Sequence, residues 1–304
     1  MDLGGTNLRA AAIDRSGKMI GKISGSTVLS AGRDAVIDDI VANILSLRDK
    51  YGAGGLAGVG LGVPGFILID KGIIVGSHNM PGFENYPVRD EIEKRLKATV
   101  ILENDANAAA LGEKWMGAGR EVDDLVLLTL GTGIGGGIVS GGKVLHGYLG
   151  MAGELGHITV DPNGNPCGCG NRGCVEKHAS ALAVVAMAKL LSLGDDTITS
   201  EGVYKLAVEG NRNAQRIFEG MGQALGIALA DLINIFNFPL YLLSGGMLPA
   251  WDFFSPAMFA EVRLRSFSFR NSDTTIEKAI LGNEAGLYGA ACLPFQAQAS
   301  KVNS

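Results

Sequence analysis

Three of the four cysteines fall within eight residues, as Cys167, Cys169 and Cys174, and His157 precedes this cluster. One histidine and three cysteines supply the four donors that zinc takes in closed tetrahedral sites. The glycines and prolines between them are typical of the tight, irregular backbone of such a knuckle. A disulfide or a set of free thiols is the alternative, but three clustered thiols cannot all pair, and Cys292 lies far away in sequence. The spacing therefore predicts a structural zinc site.

Two carboxylates flank this predicted knuckle, so that a bound ion would order both of them. Glu154 lies three residues before His157, and Glu176 lies two residues after Cys174. Paired carboxylates can hold vicinal hydroxyl groups by accepting a hydrogen bond from each, and His157 adds a further polar contact. The alternative is that each is an ordinary surface charge. As a set, they predict a binding site for a polyol.

Asp105 is the candidate for acid–base chemistry, because it lies between a predicted strand end and a predicted helix start. Ligands bind at the carboxyl ends of strands in α/β folds. An aspartate fixed there can accept the proton of a hydroxyl group that attacks a phosphoryl group. The alternative role for Asp105 is that of a helix N-cap. Asn104 beside it, and Asn79 in another loop, carry amides that suit a polyol.

Three glycine loops follow predicted strands and are candidates for holding phosphate or nucleoside. They comprise residues 2–6, 130–133 and 244–246. Glycine amides can approach a phosphate closely, and the threonines of the first two loops add hydroxyl donors. Plain β-turns are the alternative. The G-x-G-x-x-G pattern occurs at 131–136 and at 60–65. A predicted strand follows the first match, and Pro64 with the apolar residues 66–69 speaks against a helix at the second, which argues against a dinucleotide fold.

The periodicity of apolar residues predicts two similar α/β lobes, each opening with strands. A cleft between such lobes is a usual place for a small-molecule site. Predicted strands cover residues 8–13, 19–27, 56–63, 99–102, 125–130, 136–140, 143–145 and 240–243, and predicted helices cover 34–51, 105–116, 179–193, 201–209, 213–236 and 284–292.

The composition limits the classes of partner. The chain has 304 residues, 47% of them hydrophobic and 19% charged, which is typical of a globular protein with a sizeable core. The net charge of −5 gives no patch for nucleic acid or anionic membrane. We find no signal-peptide pattern and no uncharged apolar run of transmembrane length. A metal-type cysteine cluster fits a reducing compartment, so a cytoplasmic protein is predicted.

Five motifs, in order along essentially the whole chain, resemble the ROK family of sugar kinases and related repressors. They begin at Asp2, Glu103, Leu130, Gly153 and Ser244. The resemblance implies the two-lobed actin-like ATPase and sugar kinase fold, which is ribonuclease H-like, with a zinc knuckle. It implies an N-terminal α/β lobe over 1–115, joined by the C-terminal helix 285–304, and a C-terminal lobe over 116–284 that carries the zinc-binding loop.

The resemblance also implies a role for each matching residue and an activity, namely ATP-dependent phosphorylation of glucose at its 6-hydroxyl. Asp105 would be the general base, and His157 would bind zinc through one ring nitrogen and sugar through the other. The implied sugar contacts are Gly65, Asn79, Asn104, Asp105, Glu154, His157 and Glu176; the implied nucleotide contacts are Asp2, Gly4, Gly5, Thr6, Thr132, Gly133, Gly245 and Gly246; the implied zinc ligands are His157, Cys167, Cys169 and Cys174. Asp2 would help to position Mg²⁺, and a homodimer is implied.

Several alternatives stay open at this point. The same chemistry would serve a kinase for fructose, N-acetylmannosamine, N-acetylglucosamine or allose, because epimers differ by one or two hydrogen bonds. The donor could be ATP or polyphosphate. A sugar-responsive transcriptional repressor is less expected, because no helix-turn-helix segment precedes the first phosphate loop. A sugar-binding protein without turnover is a further alternative. The chain opens at Met1-Asp2, so we expect a short first strand.

Overall fold

The computed structural model describes residues 1–3, 7–26, 32–52, 55–76 and 82–302. Gly4, Gly5, Thr6 and Asn79, all predicted to contact ligands, lie outside the described residues. Within the described residues the strands are β1 (Asp2–Leu3), β2 (Asn7–Ile13), β3 (Met19–Ser26), β4 (Val59–Val63), β5 (Phe66–Leu68), β6 (Ile73–Gly76), β7 (Val100–Asn104), β8 (Leu125–Leu130), β9 (Ile134–Ser140), β10 (Lys143–Val144), β11 (Leu240–Ser244) and β12 (Thr275–Lys278).

The described residues also form α-helices, four of which follow one another between β10 and β11. They are α1 (Arg33–Tyr51), α2 (Val88–Leu96), α3 (Asp105–Met116), α4 (Glu176–Ala179), α5 (Ala181–Leu190), α6 (Ser200–Val208), α7 (Arg212–Phe236), α8 (Trp251–Arg265), α9 (Phe267–Arg270) and α10 (Ala285–Val302).

Two five-stranded sheets form the framework, and each has parallel strands near its centre. The first has the order β3-β2-β1-β4-β7, in which β1 and β7 run parallel to β4. The second has the order β10-β9-β8-β11-β12, in which β8 and β12 run parallel to β11. A small antiparallel pair joins β5 and β6. Parallel strands bring their carboxyl ends to the same sheet edge, so the loops that follow them are neighbours.

The chain divides into two compact units. The first comprises residues 1–123, 137–153 and 280–304, and the second comprises residues 124–136 and 154–279. The two predicted lobes comprise residues 1–115 with 285–304 and residues 116–284. This assignment of domains remains a prediction. In the observed division the short segment 137–153 is grouped with the first unit.

The first unit is built around β4 and β7, with α1, α3 and α10 packed on the sheet. Its core contains fully buried aliphatic side chains from strands and helices, such as Leu3, Ile37, Leu61 and Ile92. Helix α10 packs along α3 at very short range. At this crossing a Cβ atom on Gly289 would clash with the backbone of α3 at Ala108. The absence of a side chain therefore lets the two backbones touch.

The second unit places α7 and α8 against each other and beside α4, α5 and α6. Strand β8 contributes an uninterrupted buried run from Leu125 to Leu128, and β11 is buried throughout. Such continuous apolar strands are typical of parallel strands covered on both faces. Phe218 of α7 and Phe254 of α8 are fully buried. This packing leaves the loops after β8 and β11 at one edge of the sheet.

Several predicted elements were wrong in detail. The single predicted helix 179–193 is two helices, because Ser180 leaves helical geometry and its hydroxyl caps α5 by accepting the backbone N–H of Ala183. The closing helix runs to Val302 and contains Pro294, so the end at 292 that the periodicity predicts is wrong, whereas the helix 285–304 that the resemblance implies is close to the observed bounds. Helices α2, α8 and α9 and strands β6 and β12 were not predicted. Residues 134–135 belong to β9 rather than to the preceding loop.

Candidate active site

Asn104 and Asp105 occupy the junction between β7 and α3. The Asn104 side-chain oxygen accepts the backbone N–H groups of Ala106 at 2.9 Å and Asn107 at 3.2 Å. Asn104 is therefore the N-cap, and its extended backbone conformation suits that position. The interpretation of Asp105 as the cap is wrong. Asp105 is the first helical residue, partly buried, and its carboxylate accepts the Ala106 N–H at 2.8 Å.

The same junction holds Gly65, another residue with a predicted role in sugar binding. The Asn104 side-chain NH₂ donates to the Gly65 carbonyl at 3.4 Å. Gly65 has a φ of 110°, in the left-handed region that disfavours side chains. The structure thus brings Gly65, Asn104 and Asp105 together at the carboxyl ends of β4 and β7.

Glu103, which was not among the predicted site residues, precedes Asn104 on β7 and is 1% exposed. One carboxylate oxygen accepts the Asn104 backbone N–H at 2.9 Å and the Asn107 side-chain NH₂ at 3.1 Å. The other oxygen lies 2.7 Å from Nε2 of His146. The hydrogen bond to Glu103 raises the pKa of His146, with partial burial opposing and the charges of Glu103 and Asp70 reinforcing the increase. The local signal that was overlooked is an acidic residue inside a buried strand.

Asp2 lies on β1, which pairs with β4 in the same sheet. Its buried carboxylate forms an ion pair with Arg9 of β2. Arg9 also donates to the backbone carbonyl of Asn283 at 2.5 Å. The carboxylate predicted to position Mg²⁺ therefore has an arginine partner within its own sheet, a partner that the sequence reasoning did not assign.

In the second unit, the loop after β8 and the turn after β11 are neighbours, as the parallel pairing requires. The Gly131 N–H donates to the Gly133 carbonyl at 3.0 Å, which closes the loop around Thr132. Gly245 has a φ of 103°, and a Cβ atom there would clash with the backbone of Leu130. Thr132, Gly133, Gly245 and Gly246 are thus close at one sheet edge. The strand β9, not a helix, follows the loop, as predicted.

The predicted zinc ligands converge in the second unit. The donor atoms of His157, Cys167, Cys169 and Cys174 all lie within 4.8 Å of one another. The Cys167 sulfur lies 3.6 Å from Nδ1 of His157, and the Cys169 sulfur lies 3.7 Å from that of Cys174. Tetrahedral zinc, with Zn–S near 2.3 Å and Zn–N near 2.0 Å, separates its ligand atoms by about 3.5–3.8 Å. The donor set fits zinc, and all four cysteines are free thiols, so the disulfide alternative fails.

Glu154 and Glu176 both lie against this cluster. Glu154 approaches Nε2 of His157 at 3.8 Å, and burial raises its pKa, with His157 opposing the increase and Glu176 adding to it. One oxygen of Glu176 lies 3.8 Å from the Cys167 sulfur, and the other accepts the backbone N–H of Ile134 at 3.3 Å. The segment that follows Glu154 also lies against Ile134. A Cβ atom on Gly156 would clash with the Ile134 carbonyl, so the two backbones are in close contact there.

Each unit therefore gathers one part of the predicted site. The first holds Asp2, Gly65, Asn104 and Asp105, while the second holds the glycine loops at 130–133 and 244–246, the two glutamates and the zinc ligands. No helix in the described ranges is long and apolar enough to cross a bilayer.

Comparisons with known proteins extend over the whole chain. Residues 1–297 match the ROK family. A glucokinase from Thermotoga maritima is 39% identical, over 96% of this chain and 95% of its own length. A ROK hexokinase structure from Thermus thermophilus superimposes with a TM-score of 0.89 at 33% identity, covering 98% of both chains.

A further solved structure is that of a ROK family glucokinase from Streptomyces griseus in complex with glucose and AMPPNP. Its TM-score is 0.75 at 32% identity, over 97% of this chain and 98% of that chain. The predicted α/β fold of the actin-like ATPase and sugar kinase class is confirmed by these matches. The chain belongs to the ROK family.

Proposed function

We propose that this protein is an ATP-dependent glucokinase that transfers the γ-phosphoryl group of ATP to the 6-hydroxyl of glucose. The observation that carries the proposal is the position of Asp105, at the carboxyl end of a parallel strand and beside the polar side chain of Asn104. The similarity to a glucokinase along 96% of the chain supports glucose as the acceptor.

In this mechanism Asp105 accepts the proton of the 6-hydroxyl as its oxygen attacks the γ-phosphorus. Asn104 and the Gly65 backbone are proposed to orient the sugar. Glu154, His157 and Glu176 are further proposed hydroxyl contacts. Asn79 stays a predicted contact on sequence grounds alone.

The nucleotide contacts proposed for the second unit are Thr132 and Gly133 for phosphate and Gly245 and Gly246 for the nucleoside. Backbone N–H groups of such loops stabilise the charge of a polyphosphate without a cation. Mg²⁺ would supply the positive charge that neutralises the transferred group, and Asp2 would position it together with the phosphate loop of residues 4–6. Zinc, held by His157 and the three clustered cysteines, would order the knuckle without entering the chemistry.

The experiment is a coupled assay of ADP release with Mg-ATP and a panel of hexoses, comprising glucose, fructose, N-acetylmannosamine, N-acetylglucosamine and allose. We expect turnover with glucose to exceed that with the other sugars. Turnover with another hexose alone would keep the mechanism and replace the acceptor. Replacing ATP by polyphosphate in the same assay identifies the donor.

A homodimer and a cytoplasmic location remain predictions for this chain. Sedimentation velocity would determine the oligomeric state. Glucose binding without turnover of any hexose would instead indicate a sensor or repressor.

A further inference from the structure

Glu103 is a buried carboxylate that receives hydrogen bonds from three separate parts of the first unit. Its donors are the backbone of Asn104, the side chain of Asn107 on α3, and the imidazole of His146. Removing a carboxylate from water is costly unless hydrogen bonds and a counter-charge replace the lost hydration. The arrangement therefore holds all three donors in fixed positions around one side chain.

His146 begins a closed loop, which we call the 146–152 loop. The Ala152 N–H donates to the His146 carbonyl at 3.1 Å and so joins the two ends of the loop. Gly147 and Gly150 have φ values of 69° and 78°, as tight turns require. A Cβ atom on Gly150 would lie 2.6 Å from the Ile67 carbonyl, so the loop packs directly on β5. Its side-chain anchor is the His146–Glu103 contact.

The two residues of the His146–Glu103 contact each lie close in sequence to a residue with a proposed role in sugar binding. On one side Glu103 holds the backbone of Asn104. On the other, the chain passes from the 146–152 loop through Gly153 directly to Glu154. His146 is 43 residues from Glu103 in sequence, so this contact links two distant parts of the chain that each supply a sugar contact.

We propose that Glu103 and His146 are a pair of positioning residues that sets the affinity of the enzyme for its sugar acceptor. The inference rests on the proposed function, because it takes Asn104 and Glu154 as sugar contacts. Neither member of the pair acts on the reacting atoms. Loss of the pair should therefore raise the KM for sugar more than it lowers kcat, and it should leave the KM for ATP nearly unchanged.

Three variants separate this role from a general loss of structure. His146→Ala removes the anchor, whereas His146→Gln keeps an N–H donor at about the position of Nε2. Glu103→Gln keeps an oxygen for Asn104 and Asn107 and replaces the charged partner of His146 by an amide. Lys143→Ala is the control, because Lys143 is an exposed residue of β10 just before the loop.

We expect His146→Ala to raise the KM for glucose about tenfold, with kcat within about threefold of wild type, since one charge-assisted hydrogen bond is lost. His146→Gln should recover most of the affinity, and Lys143→Ala should match wild type. Glu103→Gln should lie between His146→Ala and wild type. Melting temperatures of all four variants identify any that fail to fold.

An unchanged KM for glucose in a folded His146→Ala protein would overturn the proposal. So would equal changes in kcat and in both KM values without recovery in His146→Gln, since that result indicates general destabilisation. Failure of the proposed function is separate, because it is seen in wild type as an absence of hexose turnover. In that case calorimetric glucose affinities of the same variants decide: a difference between His146→Ala and wild type supports the pair, and equal affinities or no binding overturn it.

Discussion

Glu176 connects the predicted zinc knuckle to the glycine loop after β8 through its two carboxylate oxygens. One oxygen accepts the Ile134 N–H at 3.3 Å, and the other lies 3.8 Å from the sulfur of Cys167. Changes at the metal cluster should therefore reach the loop proposed to bind phosphate. Glu176 is also a proposed sugar contact, so it links three parts of the proposed site.

The first prediction concerns the metal. The purified protein should contain one zinc per chain, and removal by a chelator should lower the melting temperature and raise the KM for both glucose and ATP, because Glu176 loses its ordered neighbour. Elemental analysis and the coupled assay measure this. Cys174→Ser should lose the metal, whereas Cys292→Ser, outside the cluster, should keep it. Intact activity in metal-free protein would refute the ordering role.

A matched pair of glycine variants tests the contact between Glu176 and the loop. A Cβ atom at Gly133 would clash with a carboxylate oxygen of Glu176, whereas at Gly131 the nearest atom would be 3.9 Å away. Because the end of a side chain can move, Gly133→Ala should displace the carboxylate with little change in melting temperature. We expect several-fold higher KM values for glucose in Gly133→Ala than in Gly131→Ala. Equal kinetics of the two variants would contradict this account.

The third prediction tests the general base. Asp105→Asn removes the proton acceptor but keeps the size of the side chain, so kcat should fall by about 10²–10⁴-fold. Glucose affinity, measured by calorimetry, should change little. Asp39→Asn, on the exposed side of α1, is the control and should match wild type. Comparable turnover in Asp105→Asn and wild type would exclude the assigned role.

The cap of α3 allows stability to be separated from binding. Asn104→Ala removes two side-chain hydrogen bonds to the helix N-terminus, which should cost about 0.5–2 kcal/mol of the free energy of unfolding. Asn211 caps α7 in the same way, so Asn211→Ala should cost a similar amount. Only Asn104→Ala should also raise the KM for glucose. Denaturant titrations and kinetics of both variants provide the comparison.

The pH dependence of stability should report the His146–Glu103 contact. The folded-state pKa of His146 is raised, so its stabilising effect is complete below the unfolded pKa of about 6.5 and is lost as pH rises through the folded value. His146→Gln keeps a hydrogen bond but does not titrate. The melting temperature of wild type relative to His146→Gln should therefore be higher at about pH 6 than at about pH 8.5. A difference independent of pH would count against the ion pair.

Local patterns in the sequence predicted the elements that carry the proposed site. The apolar run of β8 and the alanine-rich helix α3 have the bounds that the sequence predicts. Both signals are local, since a buried strand needs consecutive apolar residues and a helix needs residues of high propensity. The zinc ligands were found because their residue types are rare and closely spaced.

Other features depend on contacts that no local pattern reveals. The break at Ser180 needs a hydroxyl in cap geometry, and α10 continues through Pro294 because tertiary packing outweighs the helix-breaking tendency of proline. The contact of Glu103 with His146 joins residues far apart in sequence. Asn104 rather than Asp105 caps α3 because of backbone geometry, which the residue types alone did not decide.

The membership of α10 in the first unit has a consequence for the order of events during synthesis. This helix packs on α3 and β4 but is translated after every residue of the second unit. Domains usually fold as they leave the ribosome, the N-terminal one first. Here the first unit cannot complete its packing until α10 has been translated. We therefore expect the second unit to become protease-resistant first on stalled nascent chains. Until α10 has been translated, Asp105 lies on a helix that lacks its main packing partner.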